Sequence, residues 1–144
     1  MLQVFTEITD ELQRLLKDDP VRPELPAEFR VNDNSRVFVL KDDADNTLAV
    51  TCVKFISKIP ESVEDLADVT VNTSTAVFYT IWSYAAGAGR RLIQEAQAEI
   101  RNKKPDVDVY VTLSPKTEMA RRFHHKNGAK TYRENSDTVN YLYD

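Results

Sequence analysis

Gly87 and Gly89 are two of only three glycines in a chain of 144 residues, where average usage of about 7% would give roughly ten. They lie in Ser83-Tyr84-Ala85-Ala86-Gly87-Ala88-Gly89-Arg90-Arg91-Leu92, between a strand-like run and a helix-like run. A turn of that kind aims backbone N–H groups and the positive end of a helix dipole at one point, which suits a phosphate. Other chemistries have less behind them. Two histidines and one cysteine do not furnish a dedicated transition-metal site. Cys52 sits in an apolar strand pattern and reads as packing rather than as a nucleophile. The acidic run Asp42-Asp43-Ala44-Asp45-Asn46 lacks the glycine and the closing glutamate of a calcium loop, so it reads as a solvated hairpin tip.

Composition narrows the class. The chain is 42% hydrophobic and 29% charged, as a soluble globular domain is, and its length predicts one domain over residues 1–144. A net charge of −4 argues against a nucleic-acid binder that works by bulk charge. No apolar run approaches the roughly 20 residues of a membrane span, so no membrane partner is expected. The first residues have neither the basic region nor the apolar core of a signal peptide. With the lone cysteine, these points predict a cytoplasmic setting.

The elements that must hold the glycine turn follow from periodicity. Phe5, Ile8, Leu12, Leu15 and Leu16 recur at helical spacing and predict a helix over 4–17. Pro20, Pro23 and Pro26 then break regular structure. Strands are expected over 36–40 and 48–56, joined at the acidic tip, and over 75–82. The acidic stretch 60–70 reads as a short helix or a loop. A helix is expected from Ala88 to about Lys104, stopped by Pro105. Val107, Val109, Val111 and Leu113 alternate with Asp108, Tyr110 and Thr112, as in a half-buried strand. Ser114-Pro115 has the chemistry of an N-cap followed by proline. A helix carrying Met119, Ala120 and Phe123 follows, with Gly128 as its stop. A hairpin over 129–133 and 139–143 closes the chain. The order predicts an α/β domain with one mixed, mostly antiparallel sheet flanked by helices. Strands 75–82 and 107–113, joined through a helix, should be parallel.

Over residues 75–144 the chain resembles the GNAT superfamily of acyl-CoA-dependent N-acetyltransferases. Tyr84-Ala85-Ala86-Gly87-Ala88-Gly89 stands where that family has Gln/Arg-x-x-Gly-x-Gly/Ala, with both glycines in register. Further on, Ala120, Phe123, Lys126 and Gly128 agree with Asn-x-x-Ala-x-x-Leu/Phe-Tyr-x-Lys-x-Gly-Phe. Tyr84 departs from Gln/Arg, Thr117 from the asparagine, and His124 from the family's tyrosine. The resemblance implies acetyl-CoA as cosubstrate and no metal, with the parallel pair splayed to admit pantetheine. The N–H groups of Ala86, Gly87, Ala88, Gly89 and Arg90 would cradle the diphosphate, with the side chains of Arg90 and Arg91 adding contacts. Both glycines would spare the room the phosphate needs. Backbone N–H groups around Ile81 and Trp82 would polarise the thioester carbonyl, and Thr117 would face the cofactor. His124, as a protonated imidazole, is the candidate acid for the departing thiolate.

The favoured expectation is therefore direct acetyl transfer to an amine, on a small molecule or peptide. No general base is evident, because residues 75–82 contain no acid; Glu61, Glu64, Asp65 and Asp68 lie near in sequence but read as a solvated loop. A catalytically degenerate module that binds CoA or a protein is the alternative of another class. Val111-Thr112-Leu113-Ser114-Pro115 is also similar to the Leu-Ser-Pro stretch of malonyl-CoA decarboxylases, whose GNAT-like catalytic domain uses a histidine with a hydroxyl residue. That resemblance, weaker because strand-end and cap chemistry also account for the run, implies decarboxylation through His124 with Ser114 or Thr117. The acceptor side of the fold falls to residues 18–35 and 57–74. Pairing of two copies through a sheet edge at 140–143 is left open.

Overall fold

The chain enters as a strand. In the computed structural model, which describes residues 1–67 and 73–144, β1 (Leu2–Phe5) pairs antiparallel with β2 (Ser35–Lys41). Val4 and Phe5 therefore leave the helix expected over 4–17, which shrinks to α1 (Asp10–Leu16). Thr9 fixes that boundary, since its hydroxyl accepts the Leu12 N–H at 3.1 Å. Directly after Pro26, its N-cap, a four-residue helix, α2 (Ala27–Arg30), was not legible. β2 and β3 (Thr47–Ile56) form the expected meander, and the Asp42 carboxylate accepts the N–H groups of Ala44 and Asn46 at its tip. Part of the acidic stretch forms a 3-10 turn, Val63–Ala67. Asp68, named with its acids, lies outside the described residues.

β4 (Thr75–Ser83), α3 (Ala88–Lys103) and β5 (Val109–Thr112) follow, with β4 and β5 parallel as expected. β5 is buried on both faces rather than one: Tyr110 and Thr112 are as enclosed as Val111. The reason is position, since β5 lies between β4 and β8 (Thr138–Tyr143), and its residues join an apolar cluster on each face, Tyr110 in one and Val111 in the other. Ser114–Pro115 is no helix cap. It is a two-residue strand, β6, paired with β8. The cap of α4 (Glu118–Lys126) is Thr117, whose hydroxyl accepts the Ala120 N–H at 3.2 Å. Gly128, at φ 99°, ends that turn in a conformation that favours glycine. β7 (Lys130–Glu134) then pairs with β8. Residues 140–143 are thus interior, and β1 and β7 are the outer strands among those described.

Two apolar layers sandwich the sheet. Leu92, Ile93, Ala96 and Ile100 of α3 pack on one face with Phe38, Phe55 and Tyr110. Leu12 and Leu16 of α1 pack on the other with Val37, Cys52, Tyr79 and Leu113. Cys52 is fully buried, and burial pushes its thiol up to about 12, which suits packing. Among the described residues no helix is long and apolar enough to cross a membrane.

Candidate active site

Two parallel strands part in the middle of the sheet. Register pairs Phe78 with Thr112, and the Leu113 N–H donates to the Phe78 carbonyl at 3.1 Å. Beyond that, β4 runs on to Ser83 while the other strand turns toward β8, where Ser114 pairs with Val139. β4 is bulged at the parting: Cys52 opposes Thr80 and Val53 opposes Phe78, so Tyr79 is the extra residue. A bulge bends its strand and raises the local twist, which opens the gap. The gap holds a cavity of 480 Å³, walled by Phe78, Leu113, Ala120 and Phe123 among others.

The vertex is held by residues that sequence reasoning missed. Arg22 donates from Nε to the Tyr79 carbonyl (3.3 Å) and from Nη2 to the Leu113 carbonyl (3.2 Å). It therefore satisfies two carbonyls that would otherwise have needed N–H donors from a closed ladder. Asp19 anchors this segment. Its carboxylate accepts the Val21 and Arg22 N–H groups, the Thr80 hydroxyl and the fully buried Arg30 guanidinium. Burial opposes ionisation of Asp19, but the hydrogen bonds from Arg22, Arg30, Val21 and Thr80 outweigh it and hold the carboxyl below its usual range. The signal available in the sequence was Asp19-Pro20, a turn dipeptide. Nothing local told that the turn would be buried.

A polar relay runs into the cavity wall. His124, only 4% exposed, has Nε2 3.3 Å from Ser114 Oγ and Nδ1 2.7 Å from the Tyr143 hydroxyl. The Ser114 hydroxyl lies 2.8 Å from Thr112 Oγ1, which also accepts the Tyr141 N–H. The imidazole stacks on Tyr141, with ring centroids 5.0 Å apart. Burial, helped by the neighbouring His125, pulls His124 down to about 4. It is neutral at pH 7, which corrects the expectation of a protonated imidazole in the resting site. His125 faces away, hydrogen-bonded to Thr131 at 2.8 Å on the surface.

The glycine turn lies beside the cavity. Gly87 (φ 75°) is the N-cap of α3, in the left-handed conformation that favours glycine. A Cβ at Gly89 would sit 3.0 Å from the Phe123 ring. Close packing of α3 on α4 thus accounts for Gly89, whereas room for a phosphate was expected. Of the N–H groups expected to form the cradle from Ala86 to Arg90, one is engaged. The Ala88 N–H is spent on the Ala85 carbonyl at 3.2 Å. Gly89 and Arg90 keep first-turn N–H groups with no acceptor within the helix, and no side chain caps this end. That donor pair fits a diphosphate oxygen. Arg90 is exposed, and Arg91 pairs with Glu95 at 3.2 Å on the surface.

Ile81, Trp82, Gly89, Thr117 and His124 all line the cavity, while Ala86, Gly87, Ala88, Arg90 and Arg91 stand outside it. The Tyr84 N–H donates to the Leu48 carbonyl at 2.8 Å, so by strand alternation the N–H groups of Ile81 and Ser83 face the gap and that of Trp82 faces β3. Trp82 contributes a wall, with its indole N–H bound to the Tyr84 hydroxyl, which in turn donates to Asp18. Thr117 reaches the mouth with its hydroxyl engaged as a cap. Glu61, Glu64 and Asp65 are not in the cavity wall; Asp65 accepts the Glu61 N–H and faces Lys58.

Comparison with known proteins places this geometry. No protein-family model and no curated protein matches the chain. Among solved structures, the malonyl-CoA decarboxylase from Agrobacterium vitis is 25% identical over 85% of this chain and 35% of its own, with a TM-score of 0.70. That from Rhodopseudomonas palustris is 19% identical over 99% of this chain and 59% of its own, at 0.79. The Bacillus subtilis acetyltransferase in complex with CoA is 14% identical over 99% and 97%, at 0.68. The chain therefore spans between 35% and 59% of the length of these two decarboxylases. The mixed sheet, the splayed parallel pair and the flanking helices together are the GNAT fold.

Proposed function

We propose that this protein is an acyl-CoA decarboxylase acting on malonyl-CoA or a close relative of it. The observation that carries this reading is the buried Ser114–His124 pair at the vertex of the gap. Likeness to two malonyl-CoA decarboxylases supports it. In this reaction the bond between the carboxylate carbon and the methylene breaks. Its electron pair moves into the thioester as an enolate, CO2 leaves, and the methylene takes one proton to give acetyl-CoA. A carboxylate in an apolar pocket loses its charge on the way to CO2, so the walls of Phe78, Leu113 and Phe123 favour the transition state over the bound anion. The Ile81 N–H, facing the gap, suits the enolate oxygen.

His124 supplies the proton. In the free site burial keeps it neutral. A malonyl carboxylate bound nearby favours the imidazolium, so substrate binding is coupled to uptake of one proton from solvent. Ser114 passes that proton from Nε2 to the carbanionic carbon, and Tyr143 orients the ring from Nδ1. Gly89 and Arg90 hold the diphosphate. The test is turnover of malonyl-CoA alone. Acetyl-CoA with no free thiol is expected; free thiol as the main product would overturn the reading.

A second reading is direct acetyl transfer to an amine. It is favoured by the acetyltransferase match over 97% of that protein's length. The absence of an acid on β4 weighs against it. Thiol release from acetyl-CoA that depends on an added amine distinguishes it from decarboxylation.

A further inference from the structure

An acyl group in the gap between β4 and β5 can be approached from either face of the sheet. On one face stand α3 and α4, with the glycine turn that suits the CoA diphosphate. On the other, an incoming nucleophile meets residues 19–22. Pro20 and Val21 form part of the cavity wall there. Arg22 spans the vertex, tied to the Tyr79 and Leu113 carbonyls. The segment is pinned from behind, because Asp19 is bound to Thr80 of β4 and Arg30 donates to the Arg22 carbonyl at 2.6 Å. This strap fills the face that the fold leaves for an acceptor.

We propose that the 19–22 strap, with Arg22 as its latch, is a specificity device that bars amines and water from the thioester carbonyl. Arg22 is a positioning residue: it holds the two strands apart at a fixed width and takes no part in the proton path. The acyl-CoA is thereby restricted to chemistry that needs no second substrate. With the latch removed, an amine nitrogen bonds to the carbonyl carbon. The C–S bond then breaks with its electron pair on sulfur, and the proton lost by the amine ends on the thiolate. The inference rests on the reading that an acyl-CoA occupies the gap.

The experiment uses acetyl-CoA, which cannot decarboxylate, with hydroxylamine as the small nucleophile. Thiol release is followed for the wild type, Arg22→Ala and Val21→Gly, the last leaving both carbonyl bridges in place. Each protein is first checked for a saturable rise in Tm with CoA. The wild type should release thiol at the background rate. Both variants should raise hydroxylamine-dependent release at least tenfold, and Arg22→Lys, which can reach one carbonyl, should fall between. If Arg22→Ala fails to fold, Val21→Gly carries the comparison. Variants that bind CoA and yet release thiol no faster than the wild type overturn the proposal. So does a wild type that reacts with hydroxylamine as fast as they do. A wild type that makes no acetyl-CoA from malonyl-CoA sinks the decarboxylase reading and leaves this comparison intact.

Discussion

In the proposed decarboxylation Ser114 and His124 carry the chemistry, which depends on the charge state of His124. Its partners are neutral hydroxyls, its ring is buried, and burial pulls it down to about 4. The ordinary value is near 6.5. Below that value the unfolded chain takes up a proton that the folded chain refuses. Stability should therefore fall as pH drops from about 6.5 to 4, by on the order of 3 kcal/mol from this group. Urea unfolding of wild type and His124→Gln across that window checks the sign, since the difference between them should shrink toward acid. Ring-nitrogen NMR gives the complementary result. His124 should titrate near 4 in the free protein and higher with malonyl-CoA bound; a free value near 6.5 contradicts the buried relay. At this scale the sequence offered His124 and, through the Leu-Ser-Pro resemblance, Ser114. It did not offer Tyr143, because a tyrosine in a closing strand reads as packing until the fold brings it to the imidazole.

Elements set the spacing of that pair. α3 and α4 approach closely at Gly89 and Phe123, and His124 is the next residue along α4. Gly89→Ala should cost about 1–3 kcal/mol through overpacking, and should slow turnover by pushing Phe123 toward the relay. Phe123→Leu in the same chain should recover part of both, as coupled neighbours do. Gly87→Ala should cost roughly 1–2 kcal/mol through its left-handed conformation, with no packing cost, since no protein atom lies near the added carbon. Denaturant midpoints check both costs, and parallel rate measurements check the slowing by Gly89→Ala. The glycine turn, the crossover helix and the closing hairpin were legible because their punctuation is local. The start of the chain was not. Phe5 and Ile8 fit the helical period by chance, and the pairing of Leu2–Phe5 with β2 depends on residues far along the chain. Ser114-Pro115 misled for the same reason: its partner is β8.

At the scale of the whole molecule, the fold was readable from the order of elements and the site only in part. Residues 18–35 carry prolines and no clear period, yet they supply the buried Asp19–Arg30 pair and the Arg22 bridge that shape the gap. Long-range burial of polar groups leaves no mark in a sequence window. Lys54 is another such group. The residue is 6% exposed, and its ammonium donates to Ser35 Oγ (2.7 Å) and the Phe29 carbonyl (3.0 Å). Burial pulls it down to about 8, against about 10.4 when unfolded. Between those values the unfolded chain binds the extra proton, so this group should make stability rise with pH from about 8 upward. Lys54→Met should abolish that rise, which unfolding at pH 7.5 to 9.5 would detect. The central claim is tested most directly by giving malonyl-CoA in D2O to the wild type and to Ser114→Ala, and following products by mass. The wild type should yield acetyl-CoA carrying deuterium in its methyl group, with no free thiol. Ser114→Ala should be about 100-fold slower or more, with its Tm still raised by CoA. Acetyl-CoA formation undiminished in Ser114→Ala, or thiol as the only product, would contradict the account.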